Sequence, residues 1–135
     1  GGIADLSRLL ELDPQDADAY AARGRAQAAI GRFDAAVGDL RRALEVGPQN
    51  PVPMLDLARE LLTQDRLDEA RAAIDLAKSR LPDEPGLRLI SGEYAARAGD
   101  VERARSELEA AIAMADEGSP IQERARALLA QLTGR

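Results

Sequence analysis

The chain has 135 residues, a net charge of −6 and neither cysteine nor histidine. Thiolate zinc sites, disulfides, cysteine nucleophiles and imidazole bases are thereby excluded, and most metal and acid–base chemistry goes with them. An acidic chain with 2% aromatic residues also lacks the cationic surface and stacking platforms of nucleic-acid binders.

No apolar run approaches the roughly 20 residues of a membrane span. Any targeting segment is expected upstream, so the compartment stays open between cytoplasm and periplasm. All cations but Lys78 are arginine, and alanine is abundant. This usage points to a bacterial source with GC-rich codons, and a guanidinium surface for anions is the competing reading.

Residues 1–16 carry an apolar periodicity from Ile3 to Leu12, stopped by Asp13-Pro14. They read as the second helix of a helical hairpin. Leu6, Leu9 and Leu10 then form an apolar edge, expected to meet further repeats or a second copy. From Ala17 the sequence repeats every 34 residues without insertion, as 17–50, 51–84 and 85–118. Superposed, the copies place Gly24, Ala58 and Gly92 in one column, and Ala36, Ala70 and Ala104 in a second. Ala43, Ala77 and Ala111 form a third, and Leu40, Ile74 and Leu108 a fourth. Small residues recurring at one period mark places where helices cross too closely for larger side chains. The pattern therefore predicts stacked antiparallel helical hairpins.

Each copy supplies its own punctuation. Asp16 is placed to cap a helix from Ala17 to about Ile30, with Gly31 as a left-handed stop. Asp34 is expected to cap a second helix running to about Val46, ended by Gly47-Pro48. Asp65-Arg66-Leu67-Asp68 and Gly99-Asp100-Val101-Glu102 repeat that turn, and Asn50-Pro51 offers a cap with proline at the first helical position. Asp83-Glu84 and Asp116-Glu117 read as solvated loop charges. Residues 119–135 open with Ser119-Pro120-Ile121-Gln122, a capping box. The helix that follows gathers Ile121, Ala125, Leu128, Leu129 and Leu132 on one side. Arg126 occupies the column of Gly24, Ala58 and Gly92, so this helix reads as a terminal cap. Seven or eight helices are expected in all.

The columns resemble the tetratricopeptide repeat. Tyr20, Gly24, Ala36, Leu40, Ala43 and Pro48 match its pattern in the first copy. Leu57, Ala58, Leu61, Ala70, Ile74, Ala77 and Pro82 match in the second, and Gly92, Ala104, Leu108 and Ala111 in the third. Arg23 and Ser91 stand where the pattern has leucine, Arg88 where it has an aromatic, and Asp116 where it has proline. The resemblance implies an all-α, right-handed superhelix of three full repeats, with a half repeat before and a capping helix after. It implies no catalytic residue, cofactor or metal, and a groove lined by the first helices that holds a protein segment.

Carried onto this chain, the implied partner-binding residues are Arg25, Leu55, Asp56, Arg59, Leu62, Leu89, Ile90, Glu93 and Arg97. Arg25 and Arg59 share a column and are read as paired guanidinium forks for a carboxylate. Local pairing of Asp56 with Arg59 is the alternative. Leu55, Leu62, Leu89 and Ile90 are expected to form a partly exposed apolar patch beside them. Glu93 and Arg97 are set for an i,i+4 pair. Arg23 and Gln27 suggest a wetter junction near the first helix, with burial beside Asp5 as the alternative. The chaperone-tail clamp of one subgroup is absent, since Ala21, Arg25, Asp56, Gly86 and Ile90 stand at its places. The implied function is an adaptor or scaffold for protein partners, with no nucleic acid and no membrane insertion. Two alternatives stand beside it, a regulatory or substrate-selecting arm of a larger enzyme and a scaffold in envelope assembly or polysaccharide export.

Overall fold

The structure, a computed structural model, describes residues 2–47 and 52–134, with side chains in the second stretch from Met54 onward. The proposed exit at Pro48, the Asn50-Pro51 cap and the side chain of Val52 lie outside the described residues. Those residues form eight α-helices and no strand. They are α1 (Gly2–Leu12), α2 (Ala17–Ala29), α3 (Phe33–Val46), α4 (Val52–Thr63), α5 (Leu67–Arg80), α6 (Pro85–Arg97), α7 (Val101–Met114) and α8 (Pro120–Thr133). Two compact units divide the chain, residues 1–81 and 82–135.

In the first unit α2 packs against α1, α3 and α4, while α5 packs on α3 and α4. The small columns lie at the contacts. Ala36 and Ala70 have no exposed surface, and Ala43 and Ala77 are buried with them. A Cβ on Gly24 would come within 3.1 Å of the Ala36 carbonyl oxygen, tighter than ordinary contact. Glycine here lets α2 and α3 approach backbone to backbone. In α4 the buried arc takes in Met54, Leu57, Ala58, Leu61 and Leu62, wide enough for a helix covered on more than one side.

In the second unit α6 pairs with α7, and α8 packs on both. Leu89, Leu108, Ala111 and Ala125 form its buried cluster, with Ile121, Leu128, Leu129 and Leu132 of α8 packed against it. A Cβ on Gly92 would sit 2.8 Å from two atoms of Leu108, so this column too is set by helix proximity. Arg126 stays exposed and reaches Glu117 at 3.4 Å.

The ends of the helices follow the expected chemistry with one correction. Asp16, Asp100 and Ser119 cap α2, α7 and α8 by accepting from the backbone N–H three residues on. Asp34 and Asp68 do not cap. The helices α3 and α5 start two residues earlier than expected, behind Arg32 and Arg66, which supply no capping side chain. The two carboxylates fall inside the first turn, where they oppose the helix dipole instead. Glu84 is no free loop charge, because its side chain accepts from the Leu87 N–H and caps α6. Gly31 and Gly99 adopt φ of +85°, and Asp65, their equivalent in the second copy, adopts +58°.

Candidate functional site

The first helices of two successive copies, α2 and α4, lie side by side in the first unit. Between them opens a cleft of about 220 Å³, lined by Arg25, Ala28, Ala29, Asp56, Leu57 and Glu60. Alanine at 28 and 29 keeps the α2 wall low, and buried Leu57 supplies apolar surface. Arg25 Nη1 stands 4.0 Å from Asp56 Oδ2, and both side chains are more than half exposed. So wide and wet a pair holds itself weakly, on the order of 0–1 kcal/mol, and a ligand carboxylate or ammonium can displace either partner. The expected Asp56–Arg59 pairing does not form; Asp56 turns toward Arg25 on the neighbouring helix. Arg59 is exposed and makes no ion pair among the described residues. Glu60, which the sequence reading passed over, is half-buried and accepts from Gln64 at 3.1 Å.

The apolar patch requires correction. Leu62, Leu89 and Ile90 are each about 1% exposed, and Leu55 alone of the four is half-buried. The cause for Leu62 is the broad buried arc of α4. For Leu89 it is the docking of α8, which seals the cluster containing Leu89. Burying a leucine is worth roughly 1.5–3 kcal/mol, enough to take these side chains out of any groove.

Glu93 also departs from its expected i,i+4 pairing. Its Oε1 faces Arg124 Nε of α8 at 3.8 Å, while Arg97 is exposed and unpaired among the described residues. That oxygen is buried without a hydrogen bond. The helix α8 brings a cation nearer than the next turn of α6 does.

The wetter junction is a built network. Arg23 donates from Nε to Asp39 Oδ2 and from Nη2 to Asp39 Oδ1, both at 2.7 Å, and from Nη1 to Ser7 Oγ at 3.2 Å. With its amide nitrogen facing inward, Gln27 donates to Asp39 Oδ2 at 2.8 Å and to the Ala35 carbonyl at 3.1 Å. The partner of Arg23 is thus Asp39, not Asp5. This hydrogen-bonded carboxylate raises the Arg23 pKa above its usual value. Arg88 repeats the arrangement in the second unit, held by Asp83 at 2.8 Å through two bonds and by Glu107 at 3.4 Å, with its pKa raised chiefly by Asp83. These pairs tie α2 to α3 and α6 to α7. Among the described residues no group of three or more carboxylates converges on a metal position, and no helix is long and apolar enough to cross a membrane.

Two family models, both of the tetratricopeptide repeat, match the chain at residues 1–51 and 31–91. The chain is also 35% identical over 85 residues to bacteriophage adsorption protein A of Escherichia coli (strain K12). That alignment covers 63% of the chain and 8% of the much longer relative. With small columns at its helix crossings and hairpins built at a fixed period, the chain belongs to the tetratricopeptide-repeat family, whose repeats generally mediate protein–protein interactions.

Proposed function

We propose that the chain captures a segment of a partner protein along the face made by α2 and α4, acting as a non-catalytic adaptor or scaffold. The observation that carries this reading is the open cleft whose charges, Arg25 and Asp56, are paired loosely across it. Arg25 and Arg59 then receive acidic groups of the partner, Asp56 receives a basic one, and Leu55 provides apolar contact. Leu62 supports this face from within, and on α6, in the second unit, exposed Arg97 offers a separate contact for a partner. The repeat boundaries 17–50, 51–84 and 85–118, with a half repeat at 1–16 and a cap at 119–135, complete the proposed organisation.

The test is an affinity capture from the source organism, comparing the native chain with the Arg25→Glu/Arg59→Glu variant. Both residues are exposed, so helicity by circular dichroism stays unchanged while the captured partner is lost. Equal capture by a folded double variant refutes the reading. Likeness to a protein named for bacteriophage adsorption favours a second possibility, a scaffold in the bacterial envelope. Recovery of the full-length product from the soluble fraction alone would reject it.

A further inference from the structure

A different face of the first unit carries a second opening. Between α3 and α5 lies a trough of about 480 Å³, within the range of ligand-holding pockets. Its floor is Val37, Gly38 and Ala72, and its rim bears Asp34 and Asp68 at one end, with Arg41 further along α3.

Repeat packing does not explain this floor. At the equivalent places α5 has Arg71, Ala72 and Asp75, and α7 has Arg105, Ser106 and Glu109. In α5 the pair Arg71–Asp75 closes over the helix surface at 3.7 Å. The helix α3 departs from the pattern at all three positions, with Val37, Gly38 and Arg41. Gly38 is the telling residue. It lies in mid-helix, where glycine weakens the helix relative to alanine, yet an added Cβ would meet nothing within 4 Å. No close helix contact demands a glycine there, and its missing side chain leaves the trough deep.

The charges point to the occupant. Asp34 and Asp68 make no ion pair or side-chain hydrogen bond among the described residues, and each lies in the first turn of its helix. Glu69 on the same rim is satisfied by Arg66 at 2.6 Å. We infer that the α3–α5 trough docks a cationic amphipathic helix of a partner protein, seated with arginine or lysine at Asp34 and Asp68 and small apolar residues over Gly38. Two neighbouring helices offer a third the ridges and groove it packs into. This surface is separate from the α2–α4 cleft and does not depend on the function proposed for it.

The probe is a fluorescein-labelled, alanine-leucine helical peptide with arginines at i and i+4, compared with the same peptide carrying glutamates there. Anisotropy and amide shift mapping are measured at about 0.15 M salt, where exposed charges are already partly screened. The arginine peptide should bind, with shifts centred on Val37, Gly38 and Ala72. Asp34→Asn with Asp68→Asn should weaken it at least about tenfold, the effect of roughly 1.4 kcal/mol. Gly38→Leu, which the open space accommodates, should do the same by filling the floor, and Arg25→Glu/Arg59→Glu should leave binding intact. Binding that survives either trough variant, shifts centred on the α2–α4 cleft, or no binding of the arginine peptide would each overturn the inference.

Discussion

Removing Asp39 alone should destabilise the first unit by about 2–3 kcal/mol, whereas removing Asp39 and Arg23 together should cost little or nothing. Asp39 is 7% exposed and holds both arms of the Arg23 guanidinium at 2.7 Å. Truncating one partner of a buried pair costs about 3–5 kcal/mol, because the other charge is stranded. Here the Arg23 side chain keeps 22% of its exposure, its bond to Ser7 and a place 5.8 Å from the centre of the Tyr20 ring, which lowers the cost. The second copy shows the apolar solution at the same two places, Leu57 and Ala73, both buried. Arg23→Leu/Asp39→Ala therefore transplants a pair the fold already accommodates, Gln27 keeps the Ala35 carbonyl as its acceptor, and such replacements are often neutral or stabilising. Urea unfolding followed at 222 nm, for the wild type, both single variants and the double, yields the coupling energy from the midpoints. A loss below about 0.5 kcal/mol for Asp39→Ala, or a double variant less stable than that single, would refute the account.

Asp65 holds the left-handed position that Gly31 and Gly99 hold elsewhere. Asp65→Gly should therefore stabilise by about 0.5–1 kcal/mol and Gly99→Ala destabilise by about 1 kcal/mol, read from thermal melts. Gln122→Ala should cost about 2 kcal/mol, since it abandons the Gly118 N–H and the Ile112 carbonyl, and amide exchange at Gly118 should accelerate. The hydrogen bond from Arg66 lowers the Glu69 pKa below its ordinary value. Its stabilising effect is thus complete above the unfolded carboxylate's pKa and disappears as pH falls through the folded one. The stability gap between wild type and Glu69→Gln should close on acidification, and a gap constant down to the lowest pH would contradict the pairing.

Much of the polar architecture was open to inference from the columns. Arg23 and Arg88 interrupt positions that are otherwise apolar in α2 and α6, and Asp39 and Glu107 interrupt the facing alanine column represented by Ala73. A charge in a core column of one helix answered by its opposite in the next is the signal for a buried pair. It is legible only when two facing helices are compared, because each helix taken alone shows an isolated charge. Arg124 gave no such sign, since α8 follows no earlier copy and its contact with Glu93 depends on the docking angle.

Helix type, hairpin order and the burial of alanine and glycine columns follow from sequence, because period and side-chain size leave few other ways to bury an apolar stripe. Which leucines stay wet was decided only in three dimensions. Leu55 and Leu62 are alike on paper, but Leu62 is buried in the fold and Leu55 is only half-buried. The two openings of the first unit likewise belong to tertiary structure. Each is a gap between side chains on different helices, and linear spacing records what a residue is without recording what fails to cover it.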